Sequence, residues 1–427
     1  MRRIVILAAS YSALCLSLPL LTAVEGKTEP TPVGDWPHWR GPNFDGVSRE
    51  TGLLREWPEG GPRVLWKVEL SGGYSSVAVA GDRLYTHTAQ DKKEETVLCL
   101  EAATGKELWR YTYPCDYDKH VSLGEKYDSG PRATPAVDGD RVYTIGTTGV
   151  VLCLEAATGK KVWRRELLEI ADRACPRQGY CASPLVIGDL LFVHPGGRKG
   201  NSVAALNKAD GKLVWQALDD AVSHASPIRV DLRGKPQAVF LTANSLVGFA
   251  PEDGKVLWRY DCGRPDGGPD GAMLPAATPV HAEGRFFLSS NLMGGVLLRL
   301  RDEGAPEKVW TSAVMRNAFA TSVLYEGHLY GFGGSRLRCV AWDTGKEVWG
   351  QSGLGQGAVA LADGRLIALT EAGDLLLADA TPKGYRQAGR CKPLEGPCRT
   401  APVVAGGRLF LRNERLLVAL ELKVERR

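Results

Sequence analysis

Past its first two dozen residues the chain has no long hydrophobic run, and it carries no excess of either charge. The only extended apolar stretch runs from Ile4 to Leu21. Nothing later reaches the about 20 apolar residues that a spanning helix needs, so a helical membrane protein is excluded. Lys and Arg number 53 against 49 Asp and Glu, a formal charge of +4, and no basic field for nucleic acid exists. The ten cysteines never fall at Cys-x-x-Cys spacing, which argues against a zinc knuckle or covalent haem attachment. G-x-S-x-G, H-E-x-x-H and phosphate-loop motifs are absent as well.

What is present begins with Arg2 and Arg3, the apolar run and Thr22-Ala23. Residues 1-23 read as an export signal cut near Ala23. Leu14 before Cys15 does not suit lipid attachment, so the expectation is a soluble, monomeric, exported protein, periplasmic or extracellular.

The rest of the chain repeats itself. A Gly/Asp-rich turn followed by a basic or small residue and an apolar pair recurs eight times: GDRLY at 81-85, GDRVY at 139-143, GDLLF at 188-192, GKPQAVF at 234-240, EGRFF at 283-287, EGHLY at 326-330, DGRLI at 363-367 and GGRLF at 406-410. The mean spacing of about 46 residues is that of propeller blades. A second phrase, CLEAATGKELW ending at Trp109 and CLEAATGKKVW at Trp163, returns in altered form before Trp215, Trp258, Trp310 and Trp349. Each unit offers four short apolar runs bounded by turn residues, the strand and hairpin signature, and the Gly four residues before the Trp suits a turn with positive φ.

The eighth unit stops near Glu421 without a Trp strand, while PRVLWKVEL at 62-70 carries Trp66 with no blade of its own. That strand is expected to complete the last blade, removing an exposed edge and tying the termini together. The expected architecture is all-β, an eight-bladed propeller over residues 62-421. Residues 24-61 form an aromatic, Pro-rich segment packed on the ring, and 422-427 a charged tail. A seven-bladed ring with a stray terminal unit is the alternative.

Cys99, Cys153 and Cys339 each lie ten residues before a blade Trp, where other units have Ala205 and Gly248. They read as small core fillers. Cys115, Cys175, Cys181, Cys262, Cys391 and Cys398 fall between blades. In an oxidising compartment, Cys175 with Cys181 and Cys391 with Cys398 are the expected local disulfides, leaving Cys115 and Cys262 undetermined.

Long connections enter the first strand of several blades, at 111-131, 164-180 and 259-275, while the opposite turns are tight. Function therefore belongs to the long-loop face. First strands open on small-small-Pro phrases at 133-135, 182-184, 225-227, 277-279 and 400-402. The residue before each, and its counterpart in the other three blades, should line the channel mouth: Tyr74, Arg132, Cys181, His224, Ala276, Phe319, Gly357 and Arg399. Arginine forks and ring faces there suit an anionic or aromatic ligand, or a protein partner on the same face. The blander alternative is a channel filled with side chains and water.

Asn244, Asn291 and Asn413 read as turn residues, and His38 as part of an aromatic segment on the ring. Asp116, Asp118, Glu125 and Asp128 crowd one loop without an EF-hand pattern, so solvated charge is the expectation there.

The small-x-acid-x-x-Thr-Gly-Lys-x-x-Trp phrase, clearest at 99-109 and 153-163, resembles the tryptophan-docking motif of pyrroloquinoline-quinone (PQQ) repeat propellers, and DWPHWRGPNFDGVS at 35-48 is similar to exported members of that group. The likeness covers residues 62-421. It implies that Trp66, Trp109, Trp163, Trp215, Trp258, Trp310 and Trp349 are structural, each docking on a neighbouring blade. The superfamily includes quinone-dependent alcohol dehydrogenases and non-enzymatic scaffolds of the BamB type, and a PQQ-like repeat does not imply bound PQQ. The dehydrogenase reading requires PQQ, calcium and an Asp base, often with an adjacent Cys-Cys pair. This sequence has no such pair, its mouth ring has no carboxylate, and Asp266 and Asp270 are the loop candidates to supply one. The favoured expectation is a non-catalytic scaffold without catalytic residues, cofactor or metal; the alternative is a PQQ- and calcium-dependent alcohol or sugar dehydrogenase.

Overall fold

A computed structural model describes residues 34–121, 130–263 and 275–423. The expected signal at 1-23 lies outside them, as do Glu125, Asp128, Asp266, Asp270 and residues 424–427. No helix among the described residues is long and apolar enough to cross a membrane.

The fold is nearly all-β, and eight sheets, each with four antiparallel strands and one of them with a short fifth strand added, make eight blades. Seven are continuous in sequence, over residues 78–114, 136–166, 185–217, 228–261, 280–312, 323–351 and 357–391. The eighth joins three C-terminal strands within 403–421 to Val64–Glu69, whose Trp66 pairs with Ala419 and Glu69 with Leu416. The ring therefore closes by N- and C-terminal strand pairing, as the unpaired PRVLWKVEL phrase implies.

Burial follows position within a blade. Second and third strands, such as Leu190–Val193 and Val203–Asn207, are buried almost throughout because a blade packs on each side of them. Fourth strands such as Glu107–Pro114 bury only alternate residues, since they form the rim. Cys99, Cys153 and Cys339 are fully buried and pair in register with Trp109, Trp163 and Trp349. A larger residue there would crowd the indole.

All eight third-to-fourth strand pairings shift register at this point. In the first blade Cys99 faces Trp109 and Leu100 faces Glu107, which leaves Leu108 as the extra residue of a bulge. The bulge adds twist to the rim strand at the indole and sends the extra side chain outward. Leu108, Val214, Leu257, Val309 and Val348 are exposed for that reason.

The indoles then reach the next blade. Trp66 Nε1 donates to Ala102 O, Trp109 to Ala156 O, Trp163 to Lys208 O, Trp215 to Pro251 O, Trp310 to Trp342 O and Trp349 to Thr381 O. Each of the first five lies on the turn glycine of that neighbour. A Cβ on Gly105 would stand 2.7 Å from Trp66, and one on Gly159 2.4 Å from Trp109. These glycines have positive φ, so two independent constraints exclude a side chain.

Trp258 departs from the pattern: its Nε1 donates to Gln237 Oε1 of its own blade. The fifth blade's longer turn around Gly304 places nothing against that glycine. In the seventh blade Gly389 occupies the tryptophan's register position, facing Leu377. Trp57 of the N-terminal segment fills the gap, its ring 2.9 Å from where a Gly389 Cβ would lie.

Residues 35–53 lie against the ring. Asp35 Oδ1 accepts from Gly81 N at a tight-turn end of the first blade, and Trp36 exchanges two backbone bonds with Val79. Pro37 O accepts from Val137 N of the second blade. Arg40 donates to Thr321 O and Ser322 O at the sixth, and Val47–Ser48 pairs in parallel with Leu361 and Ala362 of the seventh. Leu53 forms an isolated bridge with Lys423. The segment thus satisfies the inner strands' free edges on the side away from the long loops.

Candidate functional site

Seven of the eight expected mouth residues line one cavity of about 260 Å³ on the long-loop side: Tyr74, Arg132, Cys181, His224, Ala276, Phe319 and Arg399. Each stands four residues before the first strand of its blade, for instance Arg132 before Ala136–Asp138 and Arg399 before Val403–Ala405. The backbone holds this offset by bonds between blades: Tyr74 N donates to Pro131 O, and His224 N to Pro275 O.

Gly357 is the exception. It is already paired with Thr370 in the first strand of its blade, and a Cβ on it would meet Leu369 O and the Phe332 ring. The equivalent position, counted back from the shared turn, is Gln356. The seventh blade lacks the small-small-Pro phrase, which let the alignment slip by one residue.

Those phrases do more than fit a crowded axis. Thr134 N donates to Ser183 Oγ, Ser183 N to Ser226 Oγ and Thr278 N to Thr321 Oγ1, each at 2.9 Å. The hydroxyls of Ser183, Ser226 and Thr321 thus each satisfy a backbone donor on the preceding blade. Trp39, whose Nε1 donates to Thr278 Oγ1, also lines the cavity from the N-terminal segment. Asn291 lines it too, so it is more than a turn residue. Sequence periodicity missed Trp39 because it lies outside the repeat.

The cavity walls are cationic and aromatic. The Arg399 guanidinium lies 5.3 Å from the Tyr74 ring centroid and 5.9 Å from that of Phe319, and Arg132 lies 5.9 Å from Tyr74. Glu371 Oε1 accepts from Arg399 Nε at 3.0 Å, and Gln178 O accepts from Arg132 Nη1 at 2.9 Å. Both forks are thereby oriented before any ligand arrives.

The two expected disulfides are not made; the nine described cysteines are free thiols. Cys175 Sγ turns to Thr147 O, while Cys181 lines the cavity. Cys391 lies on the rim strand against Gly61, whereas Cys398 is buried with its sulfur on Glu395 O.

The remaining candidates stay outside the cavity. Asp116 and Asp118 each pair with Lys93 at 3.4 Å in solvent. Asn413 Oδ1 caps Arg415 N and Leu416 N, and Asn244 O accepts from Cys262 N. His38 stacks on Phe44 at 4.1 Å, and burial lowers its pKa to about 4.

A family described as outer membrane protein assembly factor BamB matches residues 58–117, 93–331 and 333–424. The chain belongs to that family. BamB of Shewanella oneidensis is 24% identical over 231 residues, covering 53% of this chain and 54% of the relative. Quinohemoprotein alcohol dehydrogenase ADH IIB of Pseudomonas putida is 32% identical over 122 residues, 28% of this chain and 17% of that enzyme. The chain thus spans about half, or less, of these curated relatives. Among solved structures, BamB from Moraxella catarrhalis superposes with a TM-score of 0.61 at 14% identity, covering 86% of this chain and 98% of its own. Quinohemoprotein alcohol dehydrogenase from Comamonas testosteroni gives 0.62 at 13%, covering 92% and 81%. These likenesses establish the fold, which scaffolds and enzymes share.

The residues at the mouth do not suit calcium. Among the described residues the cavity is lined by guanidinium, imidazole, thiol, hydroxyl and amide groups and by no carboxylate. Among the described residues no group of three or more His, Cys, Asp or Glu is placed to hold a metal ion. Calcium binding requires six to eight oxygen ligands, commonly including carboxylates.

Proposed function

We propose that this protein is an exported, non-catalytic binding scaffold of the cell envelope, and that its mouth cavity takes a small anionic or aromatic ligand, or a partner's side chain of that chemistry. The observation that carries this reading is the lining: two oriented guanidinium groups around aromatic rings, with no carboxylate among the described lining residues. Family membership supports the scaffold half of the reading. The relatives' assembly role comes to this chain only as a proposal, as does its location in the envelope.

The alternative, a PQQ- and calcium-dependent dehydrogenase acting on alcohols or sugars, draws support from the dehydrogenase relatives and from the affinity of arginines and aromatic rings for a flat polyanion. The lack of a carboxylate among the described lining residues counts against it. The deciding experiment adds PQQ and calcium to the purified chain and follows binding by calorimetry and alcohol oxidation with an artificial electron-accepting dye. The scaffold reading expects no turnover. Micromolar PQQ binding accompanied by turnover overturns it.

A further inference from the structure

One of the nine described cysteines differs from the rest. Cys181 lines the mouth cavity together with His224 and Arg132, and its sulfur donates to Gly179 O at 3.7 Å. His224 Nε2 is buried and has no hydrogen-bond partner, so the imidazole keeps one nitrogen uncommitted. Burial opposes ionisation of Cys181, but His224 and Arg132 outweigh it and bring the thiol below its ordinary pKa. In the other eight, burial pushes the thiol up, to about 11 in Cys99, Cys153, Cys339 and Cys391 and to about 12 in Cys115, Cys175, Cys262 and Cys398. The groups around Cys181 are His224 and Arg132 from the flanking blades, Cys175 from its own loop, and Tyr74 and Arg399 across the cavity.

The surroundings also decide what such a thiol would meet. A soft metal cation would find one sulfur and one imidazole beside two guanidinium groups, a repulsive site. An anion is attracted by the same two arginines, and a flat one gains the faces of Tyr74 and Phe319.

We propose that Cys181 is a thiol–disulfide exchange site, with His224 as its proton acceptor, selective for small disulfides that carry a carboxylate. This rests on reading the mouth as an anion-binding cavity. The Cys181 proton passes to His224 and on to solvent, and the thiolate attacks one sulfur of the disulfide. The ligand's S–S bond breaks as the new one to Cys181 forms, and the other half leaves as a thiolate. Cys181 is oxidised and the departing half reduced, so no further oxidant is required.

The native full chain is mixed in stopped flow with dithiobis(nitrobenzoate), an anionic aromatic disulfide, and separately with neutral dithiodipyridine. The expected result is one fast equivalent, mapped to Cys181 by mass spectrometry and faster with the anionic reagent. Cys181→Ser should abolish that phase, and Arg132→Ala should cut the preference for the anionic reagent by about tenfold, as loss of a charge-assisted bond does. In His224→Gln the fast phase should move to higher pH. A fast phase that survives Cys181→Ser, or that maps to another cysteine, overturns the proposal. Nitrobenzoate binding to Cys181→Ser, measured by calorimetry, separates the two readings. If nitrobenzoate binds while wild type shows no fast phase, exchange fails and the cavity reading stands. If it does not bind and both disulfides react equally, the cavity reading fails and the selectivity with it.

Discussion

Arg132 and Arg399 approach the same tyrosine ring from two blades that are distant in sequence, and each fork is already held by an acceptor, Gln178 O or Glu371 Oε1. Such a pair loses little freedom when an anion arrives. Arg132→Ala and Arg399→Ala should therefore each weaken binding of nitrobenzoate, or of PQQ should it bind, by about 1–3 kcal/mol without unfolding the ring. Calorimetry checks this, and unchanged affinity in both variants removes the arginines from the site. The positions of these residues were legible because each blade presents its mouth residue at one fixed distance from a repeated phrase. The reading slipped at Gly357, where the phrase is missing. It also failed for the disulfides, because sequence proximity says nothing about which way Cys175 and Cys181 point. The chemistry at Cys181 was hidden for a related reason: His224 lies a blade away, and its nearness depends on how adjacent blades pack.

At the scale of the strand, the bulge before each tryptophan links three features of the sequence. It exposes an aliphatic residue at the rim, turns the indole toward the next blade and requires a glycine where the indole lands. Only the indole and the glycine were visible as a motif; Leu108 or Val348 alone looks like an unexplained exposed apolar side chain. The seventh blade shows how the device survives loss of its residue, with Trp57 laid over Gly389 from a segment far away in sequence. A methyl group at Gly389 would intrude on that ring. Gly389→Ala should accordingly destabilise the protein by about 1–3 kcal/mol, the usual cost of overpacking. In a Trp57→Ala background the same substitution should cost almost nothing, because the group it strikes is gone. Urea denaturation of the four proteins measures the coupling. Equal penalties in both backgrounds would show that Trp57 does not serve as the seventh blade's docking residue.

Across the whole ring, close packing between blades buries polar groups that a smaller sheet protein would leave in water. His87 is fully buried, with Nδ1 unpartnered and Tyr113 OH 3.2 Å from Nε2. His194 is buried against Phe240 with neither ring nitrogen bonded. Burial lowers both pKa values from 6.5 to about 4. The folded protein thus refuses protons that the unfolded chain accepts between those values. Stability from these two residues is complete above pH 6.5, declines as the pH falls toward 4 and levels off below it. At about 1.4 kcal/mol per pH unit over that interval, each residue contributes on the order of 3 kcal/mol. Urea denaturation of wild type from neutral pH down to pH 4 should show that decline. His87→Gln and His194→Gln should each flatten it, because glutamine takes up no proton in either state. Identical slopes in wild type and both variants would mean that the buried imidazoles are already charged in the folded ring.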